Sequence, residues 1–416
     1  MKKRLLLVTG GFPYGESERS FLSEEAKHLA AAFHLLVMAP ETPDKLLYPT
    51  DGIVKILRYH IPSLRKSLDI PTAMNVFHPS TFTEVWNCCK KTGFSGVTLA
   101  FREIVYFRFC AWEIEKQLAA LMESEQIDII YTYWCTAAAL AAANLKKRFP
   151  RIKFVTRFHG MDLYEERSRI GWQPFRNQIM HCADGLLFAC EYGRNYFMNR
   201  WGKAHTDKMR LCYLGSTDRG VREMPERETL RILSCSNLIP LKRVELIIEG
   251  ISLLPEEIPV QWDIFGDGPE RARLEALADE KLGHRANTQW KFHGFVPNAV
   301  LTESYRKLSP RVFITTSSTE GGAPVSIQEV FSMGIPAIGT DVGGIPDLVL
   351  DGRTGFLIPE HPVPAQVAAA IEQFASLTRE EELQMRAAVR DHWAQKFNAV
   401  SNAAHFTQYL LDMVSK

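Results

Sequence analysis

No uncharged apolar run in this sequence approaches the roughly 18 residues that a membrane-crossing helix needs. The start, MKKRLLLVTGGF, gives only LLLV before a glycine turn, too short for the apolar core of an export signal, so it reads as a first strand. Net charge is missing as well. Lysine plus arginine (49) nearly cancels aspartate plus glutamate (48), so no global field recruits nucleic acid or anionic membrane, and any anion binding must be local. The eight cysteines contain no C-x-x-C pair and mostly have apolar or aromatic neighbours, which fits reduced, packed thiols in a cytosolic protein. There is no G-x-G-x-x-G, and no acid stands after the second strand where a dinucleotide ribose would need one. No D-x-D occurs either, so the sequence proposes no divalent ion and no cofactor.

What is present is enough chain for two ordinary domains: 416 residues, 46% of them hydrophobic. Short β-rich runs (RLLLVTGG, HLLVMAP, IDIIYTYWC, IKFVTRFHG) alternate with helical patterns, and near-continuous apolar strands imply parallel α/β sheets covered on both faces. The pattern starts again after a polar stretch near residues 215–229, with RILSCSN, VQWDIFGDG, TQWKFHGF, RVFITTSS and PAIGTDVGG. The expected architecture is α/β with two Rossmann-like domains, at 1–215 and 216–392, followed by a C-terminal helix at 393–416 that packs back on the first domain. Residues 52–116 interleave basic, aromatic and apolar residues and are read as an insertion of packed helices in preference to a membrane-facing surface.

Several loops that follow strands carry candidate chemistry. TGGFPYG, with Gly11, Tyr14 and Gly15, ends the first strand where an open α/β sheet offers main-chain N–H groups to a ligand; the alternative is a tight turn that binds nothing. RFHGMDLY places His159 just past a strand, where a histidine is otherwise a satisfied loop residue. SCSNLIPLKRVE sets Asn237, Lys242 and Arg243 before a helix. Two cations there oppose the helix dipole, which makes sense if an anion joins them, and solvated charge is the alternative. FGDGPE and FHGFV are loops whose main-chain groups suit a flat base. In STEGGAPVSIQEV, Pro324 suits a helix's first turn, the N–H groups near Ala323, Pro324 and Val325 suit a phosphate, and Glu329 suits a vicinal diol, unless Glu320 and Glu329 are ordinary helix-flanking acids.

Together these motifs resemble the retaining glycosyltransferases of family 4. SNLIPLKR, FGDGP, HGFV, EGGAPVSIQE and GTDVGGIPDLVLDGRTGFLIP occur in the family's order, with a looser likeness in TGGFPYG and RFHGMD. The resemblance implies the GT-B fold and a nucleotide-diphosphate sugar held in a cleft between two facing domains. By motif position, His159 contacts the donor sugar and developing charge, while Lys242 with Asn237, beside Arg243, binds the diphosphate. Glu320 meets sugar hydroxyls, and Glu329 the ribose. Ala323 to Val325 receive phosphates, Phe295 and Val296 the base, and Gly11 to Gly15 face the acceptor. Two departures stand out: eight residues separate the glutamates where the family has seven, and Asn237 stands where arginine is frequent.

The implied activity is metal-independent, retaining hexosyl transfer to a glycan or lipid-linked glycan, with no nucleic-acid partner. The expected location is cytoplasmic, with peripheral contact at the inner membrane face. The rivals are a sugar-nucleotide epimerase of the same fold and a non-catalytic nucleotide-sugar-binding protein.

Overall fold

Thirteen strands fall into two parallel sheets in a computed structural model that describes every residue except 1, 15–17, 49–50, 68, 222, 224–225 and 416. The chain divides into two compact units, Met1–Tyr213 with Val400–Lys416, and Leu214–Ala399.

The first unit holds β1 (Arg4–Val8), β2 (His34–Pro40), β3 (Ile53–Tyr59), β4 (Ile129–Thr132), β5 (Lys153–Phe158), β6 (Gly185–Phe188) and β7 (Met209–Leu211) in the order β3-β2-β1-β4-β5-β6-β7. Every pairing is parallel. The central strands are buried along almost their whole length, since helices cover both faces. Strand order reverses between β1 and β4, so their C-terminal ends diverge and leave room for chemistry.

After β3 the chain enters α/β cover of an unusual size. Helix α1 (Arg19–Ala32) follows β1, whereas α2 (Ile70–Val76), α3 (Pro79–Thr92) and the long α4 (Val97–Ser124) all intervene between β3 and β4. These helices pack as the sequence suggests. Ile104, Ala111, Ile114 and Leu118 of α4 and Val85, Cys88 and Cys89 of α3 join the main core.

The second unit holds β8 (Leu230–Cys235), β9 (Val260–Phe265), β10 (Thr288–Gly294), β11 (Val312–Thr315), β12 (Ala337–Thr340) and β13 (Gly355–Ile358), all parallel in the order β10-β9-β8-β11-β12-β13. Here the reversal lies between β8 and β11. Helix Arg379–Lys396 closes this unit, tied in by the buried pair of Arg311 and Glu382 at 2.6 Å.

The last helix, Ala399–Ser415, belongs from Val400 to the first unit. Its Phe406 ring lies 5.0 Å from the Arg157 guanidinium, a buried cation that also pairs with Glu25 at 2.8 Å. The division at Ala399 therefore falls later than the 392/393 boundary read from the sequence, because helix Arg379–Lys396 is one continuous element that stays with the second unit. None of the described helices is long and apolar enough to cross a membrane.

Candidate active site

The loop after β1 contradicts one expectation outright. Its N–H groups are not available to a ligand, because the carboxylate of Glu18 fills them: Gly10 N–H donates to Oε1 at 2.9 Å, and Gly11 and Phe12 N–H donate to Oε2 at 2.9 and 2.7 Å. The Trp134 indole, from the loop after β4, donates to the same carboxylate. Glu18 is buried, so an internal anion occupies the nest that glycine-rich turns often reserve for phosphate. Gly11 is thereby committed to a structural bond. Tyr14 pairs with Leu46 in an isolated bridge and lies under the Arg58 guanidinium at 4.1 Å. Gly15 lies outside the described residues.

His159 stands at the end of β5 and is buried. Its Nε2 is 3.0 Å from the Tyr133 carbonyl, which can only accept, so the proton resides on Nε2 and Nδ1 carries a lone pair. Its ring packs at a tilt against Tyr133 and Trp134, with centroids 4.7 and 4.3 Å away. Asp162 fixes the loop by accepting from the N–H groups of His159 and Cys135 at 2.7 and 2.6 Å, and burial pushes its carboxyl up. Burial, with the Arg157 charge nearby, lowers the imidazole from 6.5 to about 3. The ring is neutral across the physiological range and offers a lone pair and a dipole, not a positive charge.

A stability consequence follows. Between about 3 and 6.5 the unfolded chain protonates this imidazole and the folded chain does not, so stability must fall as pH falls through that window. At pH 5 the loss from this one group is about 2 kcal/mol. Urea midpoints at pH 7.5 and 5.0 should show the wild type losing about that much more than His159→Gln. Equal losses in the two proteins would overturn the neutral, buried assignment.

In the second unit the strand-order reversal brings Lys242, in the turn after β8, to Glu320, in the loop after β11. Lys242 Nζ is 2.5 Å from Glu320 Oε1, and both side chains are mostly covered. Their neighbour Arg243 is turned toward main chain. Its guanidinium donates to the carbonyls of Thr316, Ser317 and Glu360 at 2.7, 2.9 and 2.9 Å, holding the loop that presents Glu320. Of the cation pair, Lys242 alone meets a carboxylate, while the exposed Asn237 lies in the preceding loop.

FGDGPE also has another task. A side chain on Gly266 or Gly268 would strike the carbonyls of Ser236 and Leu238 at 1.8 and 2.3 Å, so these glycines exist to pack against the Asn237 loop. Likewise the backbone of Gly343 and Gly344 abuts Glu320 and Gly322, so the TDVGG and EGG corners support one another.

Helix Val325–Ser332 begins one residue later than the sequence suggests. Pro324 is its cap, in extended conformation, and contributes no side-chain bond, so the first N–H groups keep no partner from that position. Ala323 is buried and its carbonyl accepts from the Gln328 amide at 2.8 Å. Glu329 is buried in the second turn. Its Oε1 accepts from Arg219 at 2.5 Å and from Asn298 at 2.8 Å. Asn298 opens the helix that follows Phe295 and Val296, with Phe295 strongly exposed, so the structure gathers that loop and Glu329 in one corner. Arg219 Nε and Gln328 Oε1 are buried without a hydrogen-bond partner among the described residues, leaving polar capacity there.

Glu18, Arg219 and Asn298 were missed by sequence reasoning. Acids between a glycine turn and a helix were the available signal for Glu18. Arg219, in a stretch read as linker, gave none.

Residues 221–392 match the family described as Glycosyl transferases group 1. The chain is 26% identical over 281 residues to the "Putative colanic acid biosynthesis glycosyltransferase WcaL" of Salmonella typhimurium, covering 65% of this chain and 67% of the relative. It is 22% identical to the "N-acetyl-alpha-D-glucosaminyl L-malate synthase" of Bacillus anthracis, across 65% and 70% of the two chains. Among solved structures, the apo lipopolysaccharide outer core galactosyltransferase WaaB superposes with a TM-score of 0.69 at 13% identity, covering 99% of both chains. Anabaena Alr3699/HepE in complex with UDP gives 0.64 at 16% identity, over 99% of this chain and 100% of that one.

Proposed function

We propose that this chain, a glycosyltransferase with a group 1 domain at residues 221–392 and the GT-B architecture, is a retaining, metal-independent hexosyltransferase of family 4. Its donor is a nucleotide-diphosphate sugar and its acceptor a hydroxyl of a glycan or lipid-linked glycan. The observation that carries this reading is the meeting of Lys242 and Glu320 at the strand-order reversal of the second unit, beside a helix start whose cap gives no side-chain bond.

A cation and helix N–H groups suit a diphosphate, and a carboxylate in contact with that cation suits sugar hydroxyls. The contact of Glu320 with Lys242 supports the reading that the extra residue between the glutamates is taken up before the helix. Glu329, braced by Arg219 and Asn298, takes the ribose diol, and Phe295 with Val296 lies along the base. Uridine diphosphate sugars are the first donors to try, because relatives of this fold were solved with UDP.

In the proposed reaction the bond from the anomeric carbon to the leaving phosphate oxygen breaks, and an oxocarbenium-like sugar forms. The acceptor hydroxyl attacks from the departing side and its proton passes to that phosphate. Lys242 and the helix N-terminus hold the charge left on the diphosphate. His159, being neutral, contributes a lone pair and orientation.

The test is release of nucleoside diphosphate with and without a glycan acceptor in excess EDTA, with the product's anomeric configuration read by NMR. Acceptor-dependent release, survival in EDTA and retention are expected. Release without acceptor, together with a rearranged sugar, would favour the epimerase. Loss in EDTA that magnesium restores would overturn metal independence, and inversion would overturn the retaining assignment.

A further inference from the structure

A cavity of about 570 Å³ in the first unit shares no residue with the site described above, and its volume is that of a small-ligand pocket. It lies toward the C-terminal edge of the sheet. Glu165, on one wall, stands in the loop after β5 that also carries His159. The opposite wall is the helix Glu191–Trp201, which follows β6, the strand beside β5. Open α/β sheets bind their ligands at that edge.

That helix buries Gly193 and Phe197 and turns Tyr192, Asn195, Tyr196 and Asn199 to the cavity, at i, i+3, i+4 and i+7 of one face. Tyr192 is 48% exposed, and both asparagines are exposed. Tyr196 is fixed in place. Its hydroxyl accepts from Glu165 N–H at 2.9 Å and donates to Glu166 at 2.8 Å, and its ring meets Tyr164 edge-on at 4.9 Å. Glu165 is buried, and its Oε2 accepts from Lys91 and, at 2.6 Å, from Arg200 Nε. Its Oε1 has no hydrogen-bond partner among the described residues, an acceptor that a ligand hydroxyl would satisfy. Lys91 and Arg200 are the cations of the lining and Glu165 and Glu166 its carboxylates, so the cavity has no net charge with which to select an ion.

We propose that this cavity binds a neutral oligosaccharide, the stretch of a glycan acceptor remote from the hydroxyl that reacts. A sugar ring has apolar C–H faces and a rim of hydroxyls. Tyrosine rings suit the first, and carboxamides, which donate and accept at once, suit the second. Because Tyr196 is held beforehand, its ring loses little freedom on binding. An anionic ligand fits less well, since Lys91 and Arg200 are both spent on Glu165. The saccharide site deepens the acceptor reading above and rests on it only for the acceptor role.

The test is saturation-transfer NMR of the full chain titrated with hexasaccharides of glucose, galactose and N-acetylglucosamine, without donor and again with saturating UDP. At least one should bind, and UDP should not displace it. Tyr192→Ala and Asn195→Ala should each weaken that binding by roughly threefold to tenfold, with an unchanged thermal melt. Binding of none of the three, displacement by UDP, or indifference to both variants would overturn the site. In transfer assays the same variants should raise KM for the hexasaccharide acceptor and leave KM for the donor and for a monosaccharide acceptor unchanged. An unchanged KM for the hexasaccharide would overturn the acceptor role. A wild type that binds the saccharide yet transfers no sugar would count against the function proposed above and for the cavity, so the two failures are separate results.

Discussion

Lys242→Ala should lower kcat by on the order of 10²-fold or more, with a smaller change in KM for the donor. The reason is that negative charge on the leaving diphosphate grows toward the transition state, so a fixed ammonium there stabilises it more than the bound donor. The amine is already placed. It lies 2.5 Å from Glu320 Oε1, and Arg243 holds the Glu320 loop through three carbonyls. Because Lys242 and Glu320 are in contact, their effects should not add: Lys242→Ala combined with Glu320→Gln should lose less than the product of the two single losses. Steady-state kinetics on the four proteins decides it. A Lys242→Ala enzyme with normal kcat and only a raised KM would reduce the lysine to a docking residue, and fully independent losses would break the unit.

Glu18→Ala should destabilise the first unit by about 3–5 kcal/mol, the scale expected when a buried charge with several hydrogen-bonded partners is removed. The N–H groups of Gly10, Gly11 and Phe12 and the Trp134 indole would all lose their acceptor. Glu18→Gln keeps one oxygen but turns an amide toward donors, so about 1–3 kcal/mol should go. Urea unfolding of the three proteins at pH 7.5 measures both losses. A loss under about 1 kcal/mol for the alanine variant would show that water or another group satisfies the nest equally well. The point matters for function because this turn looks in sequence like an anion site for substrate, while the structure spends it on an internal carboxylate.

Most of the architecture was legible in the sequence because a parallel α/β sheet writes itself as apolar runs separated by amphipathic helices. Nine of the thirteen strands are visible that way. β3, β6, β7 and β13 are not: β3 is a largely uncovered edge strand with no clean pattern, and β7 has only three residues. The family resemblance was carried by loops at strand ends, where turn glycines and charged residues recur in fixed order.

Tertiary structure alone decided what those loop residues touch. Lys242 and Glu320 are far apart in the chain and meet because β8 and β11 are neighbours across the reversal. The pairing of Glu329 with Arg219 has the same cause, a partner supplied from a distant segment. Adjacent Lys242 and Arg243 look equivalent in sequence, yet one meets a carboxylate and the other main-chain carbonyls, since side-chain direction depends on local backbone angles and Arg243 adopts φ +47. Sequence fixes which groups are available and the periodicity of the elements that carry them. Which donor meets which acceptor is set by the order of strands in the sheet, and local pattern does not contain that order.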